Sequence, residues 1–352
     1  MARPHAAPFS GTDDRVVAEV LSEYGKLTRD SMQDYLPQAE PNSYLYELLG
    51  DYPRRGGKML RSSLCIAMAR ATGAEVEEVI DTAVSIELLH NALLVHDDIE
   101  DGSDERRGTP TLHALHGIPL ALNAGDAMGL LSLRPLKQNF HRLGIGTALR
   151  IFEETERMAW ESTEGQALEL GWQRDNRTDV TAEDYLQMVL QKTCWLAAIY
   201  PLRVGCLIGA RGRLSLEPLL RIGFFYGAAF QIQDDLLNLE GGAAYGKEIN
   251  GDLFEGKRTL MIIHALRAAD AADRTRLTDF LGLCREERTA GDVAWVRDLL
   301  DRTGAYDYAR TLARALAGAA LFEFDRYFAK TRDSRDLRFM RALLTWVMER
   351  SH

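Results

Sequence analysis

Two short acidic runs hold the residues best suited to chemistry. One is His96-Asp97-Asp98-Ile99-Glu100-Asp101; the other is Gln231-Ile232-Gln233-Asp234-Asp235-Leu236-Leu237-Asn238. In a helix, residues spaced by three, four and seven share a face. His90, Leu94, Asp97 and Asp101 meet that spacing, as do Gly227, Gln231, Asp234 and Asn238. Both sets of acids therefore continue apolar faces that point inward. Carboxylates buried side by side repel one another and lose hydration. Opposed clusters make sense when they grip hard divalent cations. Mg²⁺ takes few carboxylates and completes its octahedron with water and substrate phosphates, so the pattern predicts phosphate or diphosphate chemistry between helices. A solvated acidic helix end explains either run alone, but not two runs on apolar faces. Asn238 is an amide where a third acid would complete the second repeat. That makes the second cluster the weaker metal site, with Asp234 its best ligand and the Asn238 carbonyl a neutral ligand or a holder of a ligating water.

A polyphosphate between metals also needs cations. Gly56-Gly57-Lys58-Met59-Leu60-Arg61 offers Lys58 and Arg61 three residues apart, with glycines that allow close backbone approach. Ser103-Asp104-Glu105-Arg106-Arg107-Gly108 follows the first acidic run directly, and arginine suits bidentate phosphate binding. Lys192-Thr193 lies mid-chain, and Lys247 and Lys257 follow the second run, the former within the loop-like stretch from Gly241 to Gly251. Singly, each is an ordinary surface charge; their order around both acidic runs joins them.

The elements that must position these residues are helices. Val16, Val17, Val20, Leu21 and Tyr24 form a stripe at helical spacing, and Ile86, Leu89, His90, Leu93 and Leu94 form another leading into the first acids. Ser215-Leu216-Glu217-Pro218 starts a helix that reaches Asn238, and Thr181-Ala182-Glu183-Asp184 has capping character. Ala309 to Ala320 is rich in Ala and Leu. No alternating strand pattern and no repeat stands out. The prolines mark breaks rather than a linker. The acidic helices are more than 130 residues apart in sequence and must meet in one core. The expectation is one all-α domain over residues 14–352, after a disordered tail at residues 1–13.

The chain has 352 residues, 46% of them hydrophobic, and a formal net charge of −10. That charge argues against a general nucleic-acid binder, but a local basic patch or a metal still admits an anionic substrate. Cys65, Cys194, Cys206 and Cys284 are scattered, without zinc or disulfide spacing. No apolar run nears the roughly 20 residues of a membrane span, and the N-terminus lacks the apolar core of a signal peptide. A cytoplasmic protein is expected.

Taken in order, these segments resemble the trans-isoprenyl diphosphate synthases, the polyprenyl synthetase family. The resemblance runs from Gly56-Gly57-Lys58 through Glu87-Leu88-Leu89-His90, Asp97 to Gly108, Lys192-Thr193, and Phe230 to Asn238, to Gly256-Lys257-Arg258-Thr259. It departs at Ser62, where many members have proline, and at Asn238, where many have aspartate. It implies a single large helical bundle of the isoprenoid synthase type around an apolar cavity. It implies Mg²⁺, with Mn²⁺ as a substitute, held by Asp97, Asp101 and Asp234, with Asp98 and Asp235 in support. Gly57, Lys58, Arg61, His90 and Arg107 correspond to the isopentenyl diphosphate site. Arg106, Lys192, Thr193, Gln231, Lys247 and Lys257 correspond to the allylic diphosphate site. Catalysis would fall to Asp97, Asp98, Asp101, Arg106, Lys192, Asp234 and Lys257, with His90 neutral, and the family implies a homodimer.

The growing chain would run down the first acidic helix past Leu93, Ala92 and Leu89. Members that stop at fifteen carbons commonly carry bulky aromatics four or five residues before the first motif. Ala92 is small, so geranylgeranyl diphosphate (C20) is the expected product, with farnesyl or C25 and longer products as alternatives. The floor of the shaft could come from near Phe152 or Met158, or from a second copy. A class I terpene cyclase is the nearest competing function. It lacks a need for isopentenyl diphosphate, and Asn238 and Glu240 do not fit its second metal motif. A non-catalytic partner subunit would have lost acids that this chain keeps, and a purely structural bundle would need no ordered cations.

Overall fold

The computed structural model describes residues 11–240 and 249–349. The helices are α1 (Gly11–Gln33), α2 (Glu47–Arg54), α3 (Leu60–Thr72), α4 (Val76–Glu100), α5 (Leu112–His116), α6 (Ile118–Leu131), α7 (Leu133–Arg142), α8 (Ile145–Arg174) and α9 (Ala182–Val189). After a π-helical segment, Leu190–Ile199, come α10 (Tyr200–Ala210), α11 (Glu217–Glu240), α12 (Gly251–Glu255), α13 (Leu260–Ala268), α14 (Ala271–Gly282), α15 (Ala290–Arg302), α16 (Ala305–Tyr327) and α17 (Arg335–Glu349). The first helix opens at Gly11, so residues 11–13 belong to it rather than to the expected tail; residues 1–10 lie outside the described residues. Two-residue strands β1 (Glu105–Arg106) and β2 (Thr109–Pro110) pair antiparallel. This hairpin is too short to show as a sequence alternation.

Local chemistry sets the helix ends. The Thr181 hydroxyl accepts from Asp184 N at 3.1 Å while the Asp184 carboxylate accepts from Thr181 N at 2.9 Å, a reciprocal cap that opens α9. Thr259 caps α13 by accepting from Ile262 N at 3.4 Å. Pro119 and Pro218 stand in the first turns of α6 and α11, where a missing N–H costs no helical bond. They mark helix starts, not domain boundaries.

The apolar faces meet in two clusters that α4 divides. The larger gathers α3, the π segment, α10, α11, α13, α16 and α17, with Trp195, Tyr200, Tyr226 and Phe339 buried within it. The smaller holds Leu88, Ala92 and Val95 of α4 with Leu48 and Tyr52 of α2 and Ala121, Ala124 and Met128 of α6. Residues 76–100 and 182–210 are in fact long and apolar enough to cross a bilayer, contrary to the sequence expectation. Their apolar windows are 67% and 94% buried against other helices, so the packed core accounts for that composition.

Candidate active site

Asp97 and Asp101 lie four residues apart near the C-terminal end of α4, on one face, while Asp98 turns away into the protein. Asp98 is fully buried. It accepts from Tyr52 Oη at 2.5 Å, from Arg106 Nε at 2.8 Å and from Arg106 Nη2. The sequence grouped the three acids together; the structure makes Asp98 the anchor of Arg106. Burial works against the Arg106 charge, but its bond to Asp98 and the fields of Asp98 and Asp97 more than offset that and hold it protonated. Arg106 Nη2 also stands 3.5 Å from Asp97.

The β1–β2 hairpin separates the two arginines. Its turn residues Arg107 and Gly108 have φ of 57° and 70°, the left-handed pair that a two-residue hairpin requires. Arg106 serves the acids, whereas Arg107 reaches back to donate to Tyr52 O at 3.2 Å and to Gly56 O. At Gly57, with φ 143°, a Cβ would lie 3.0 Å from Arg107 Nη2. Glycine there makes room for the guanidinium.

Asp235 on α11 is held as firmly as Asp98. Tyr185 Oη and Gln231 Nε2 each donate to it at 2.7 Å, and Thr193 Oγ1 donates to Gln231 Oε1 at 2.9 Å. Burial pushes the Asp235 carboxyl up to about 6. Burial likewise pushes Asp101 up to about 7, with Lys257 opposing and Asp97 and Glu255 reinforcing the shift. Lys257 Nζ donates to Asp101 Oδ2 at 2.7 Å and stands 2.6 Å from Glu255. Lys192 Nζ pairs with Glu169 and lies 3.4 Å from Asp97. Burial would strip the Lys192 proton, but Glu169 and Asp97 hold it, as Asp101 and Glu255 do for Lys257.

Asn238, the neutral member of the second cluster, is tied to the chain that follows it. Its Oδ1 accepts from Asp252 N at 3.2 Å and its backbone carbonyl accepts from Asn250 N at 2.9 Å. The amide thus ties α12, with Asp252 in its first turn and Lys257 just beyond its end, to α11. Lys247 lies outside the described residues. Arg258, next to Lys257, donates instead to Asn176 Oδ1 at 2.6 Å and Arg177 O at 3.1 Å.

Two cavities open between α4 and α11. One, of ≈ 130 Å³, is lined by Asp97, Glu169, Lys192, Thr193, Asp234 and Lys257, with Gln231 and Asp252 also on its wall. The other, of ≈ 110 Å³, is lined by Gly57, Lys58, Arg61, His90, Arg107 and Glu87, closed by Phe230 and Trp346. All five residues expected at the second site converge there. Burial, followed by the fields of Arg61, Arg107 and Arg106, drives the His90 pKa well below its ordinary value, so His90 is neutral as expected. Glu87, 3% exposed, accepts from both the backbone N and the hydroxyl of Ser62 at 3.1 and 2.8 Å. Larger surface clefts, of ≈ 460 Å³ beside α15 and α16 and ≈ 400 Å³ beside α7 and α10, lie apart from these two cavities; the first has acids and arginines of its own, Glu240, Asp298, Asp301 and Asp307 with Arg297 and Arg310.

The three residues expected along the product shaft part company. Leu89 and Leu93 pack against the larger cluster on the Asp97 side, whereas Ala92 is buried in the smaller cluster with α6. Five residues turn a helix by about 500°, which places Ala92 well away from Asp97. Phe152 is exposed and Met158 is buried in the larger cluster.

Sequence reasoning missed Glu169, Tyr52, Tyr185 and Trp346. Only Glu169 left a signal: Gly165 and Glu169 are four apart on an inward helix face. A Cβ on Gly165 would lie 2.2 Å from Lys192 N, so this glycine sets how closely α8 and the π segment approach. The π segment itself, often found at functional positions, has no sequence signature.

The acids suit a hard metal. Asp101 Oδ1 is buried without a hydrogen-bond partner, and the oxygen donors of Asp97, Asp101 and Asp234 are what Mg²⁺ selects. Among the described residues no three such groups form a closed cage. Mg²⁺ does not need one where substrate phosphates and water complete its shell.

The polyprenyl synthetase profile matches residues 42–300. A geranylgeranyl pyrophosphate synthase from Geoglobus acetivorans is 33% identical over 304 residues, covering 85% of this chain and 89% of the relative. The crystal structure of a geranylgeranyl pyrophosphate synthetase from Pyrococcus horikoshii superposes with a TM-score of 0.85 at 30% identity, over 96% of this chain and 99% of that one. A geranylgeranyl pyrophosphate synthase from Corynebacterium glutamicum, complexed with isoprenyl diphosphate and magnesium, superposes with a TM-score of 0.80 at 25% identity, over 96% and 98%. The fold is the all-α isoprenoid synthase fold expected, and the chain belongs to the polyprenyl synthetase family.

Proposed function

We propose that this prenyltransferase condenses isopentenyl diphosphate with an allylic diphosphate, head to tail, in a Mg²⁺-dependent reaction that yields geranylgeranyl diphosphate. The observation that carries the proposal is the pair of cavities: one rich in acids and lysines, the other basic, both bounded by α4 and α11. A cyclase acting on one allylic diphosphate has no use for the second.

Lys192, Lys257 and Arg106 bind the allylic diphosphate, and Thr193 and Gln231 orient it. Lys58, Arg61, Arg107 and neutral His90 bind isopentenyl diphosphate. Asp97, Asp101 and Asp234 would hold Mg²⁺, which when bound neutralises charge on the leaving diphosphate, with Mn²⁺ a substitute. As the allylic C–O bond breaks, its electron pair goes to the diphosphate, where Lys192, Lys257 and Arg106 stabilise it. The isopentenyl double bond attacks the allylic carbon. The resulting cation loses a proton to the released diphosphate. The apolar wall on the Asp97 side, from Leu89 and Leu93, excludes water that would quench the cation.

In this proposal the small side chains Ala92, Ala121 and Ala124, packed together between α4 and α6, present no bulky block to a C20 chain. The enzyme is a cytoplasmic homodimer whose catalytic unit is a single domain that opens with α1. The support for the dimer is the exposure of Leu130, Ile145 and Trp160 along α6 and α8, each at least 64% exposed. The test is product analysis. Purified protein and Mg²⁺ are incubated with isopentenyl diphosphate and C5, C10 or C15 allylic diphosphates, and the products are dephosphorylated and identified. A C20 alcohol, lost on chelation of the metal, is expected. A cyclic hydrocarbon from an allylic diphosphate alone would sink the proposal.

A further inference from the structure

The basic cavity has one wall that no sequence motif announces. Trp346 comes from α17, almost 290 residues beyond Lys58. Its ring centroid lies 5.2 Å from Lys58 Nζ, and the ring lines the cavity beside Arg61, His90, Arg107 and Phe230. Lys58 sits exposed on the loop between α2 and α3, where Gly56, Gly57 and Met59 have φ of 82°, 143° and 50°. A long, rotamer-rich side chain on such a loop loses much freedom when it is fixed, and a contact that presets it lowers that loss. Arg107 needs no such help, because the carbonyls of Tyr52 and Gly56 already hold it. Lys58 has the face of an indole, the best of the aromatic partners for a cation. The core, not the loop, places that indole. Phe339, Met340 and Leu343 of α17 are buried in the larger cluster, and Asp336 accepts from Tyr24 Oη at 2.5 Å.

We propose that Trp346 is a positioning residue for isopentenyl diphosphate: it presets the Lys58 ammonium over the basic cavity and makes the C-terminal helix part of that substrate's site. The inference rests on the synthase reading. Preorganisation of this kind acts on binding of one substrate and leaves the ionisation of the other untouched.

The test uses the full chain with Mg²⁺. Isopentenyl diphosphate affinity is measured by calorimetry, and KM and kcat are measured for both substrates. Trp346→Ala is expected to weaken isopentenyl diphosphate about two- to fivefold, the scale of one partly exposed cation–π contact, with kcat and the allylic KM unchanged. Trp346→Phe keeps a π face and recovers most of the loss. Trp346→Leu keeps apolar bulk without a π face and behaves as alanine, which keeps the test decisive should the alanine variant fold poorly. In a Lys58→Ala background, Trp346→Ala adds nothing. An equal rise in both KM values, no change at all, or the same loss with and without Lys58 would overturn the inference. Failure of the wild-type chain to take up isopentenyl diphosphate would bring down the synthase reading and this inference with it. That outcome is distinct from uptake that ignores Trp346.

Discussion

Gly165→Ala offers the sharpest test of how the acidic cavity is held in shape. The added Cβ would lie 2.2 Å from Lys192 N, 2.7 Å from Lys192 Cα and 2.8 Å from its Cβ. Two of these are backbone atoms of the π segment, so no side-chain rotation relieves the clash. To reach an ordinary contact near 3.4 Å, α8 and the π segment must part by about 1 Å, an overpacking strain of about 1–3 kcal/mol. Glu169, one turn further along α8, moves with it and draws away from Lys192. A 1 Å error in a positioned group costs up to about 100-fold in rate. Steady-state assays should show kcat/KM for the allylic diphosphate falling by about that factor. Affinity for isopentenyl diphosphate should hold, because Lys192 does not line the basic cavity. Urea unfolding measures the strain separately. A variant within about threefold of wild-type kcat/KM would refute the claim that this close approach positions Lys192.

Three further outcomes are expected. Asp98→Asn removes the charge that holds buried Arg106 and should cost about 3–5 kcal/mol in urea unfolding; a loss below about 1 kcal/mol would show the pair to be dispensable. Ser62→Pro strips Glu87 of both its donors while breaking no helical bond, since the N–H of Ser62 serves Glu87 alone. It should cost about 1–3 kcal/mol and exceed the cost of Ser62→Ala, and equal costs would deny the backbone bond any role. Ala92→Phe puts a bulky ring between α4 and α6 and should shorten the product when the alcohols are analysed; an unchanged length would move the product channel elsewhere.

The parts of the site legible in the sequence were those in which one residue type and one spacing carry both the local structure and the chemistry. Asp97 with Asp101 is of this kind: the helix period alone puts the pair on one side. Lys58 and Arg61 reach one cavity by another route, because Lys58 precedes α3 and the left-handed Met59 lies between them. What sequence could not give was rotation between neighbours. Asp97 and Asp98 are adjacent and identical, yet one borders the cavity and the other is sealed against Tyr52 and Arg106. Ala92 and Leu93 diverge for the same reason. Groups that complete the site from far along the chain, such as Glu169 beneath Lys192 and Trp346 over Lys58, obey no local rule. Asn238 reads in the sequence only as a gap in the acidic repeat; that its amide oxygen accepts from Asp252 N shows only in the folded chain.

The division of the core by α4 has a consequence for how such an enzyme can change. One flank of this helix borders the reacting groups, and the opposite flank packs with α6 in a separate, smaller cluster. A substitution on the α6 flank at Ala92 is felt first by the α6 side chains it touches, whereas one at Tyr52, in the same cluster, reaches Asp98 and Arg106 as well. Selection acting at Ala92 is therefore largely insulated from selection acting on the opposite flank. Descendants of a single catalytic ancestor can diversify in what they release while conserving how they react.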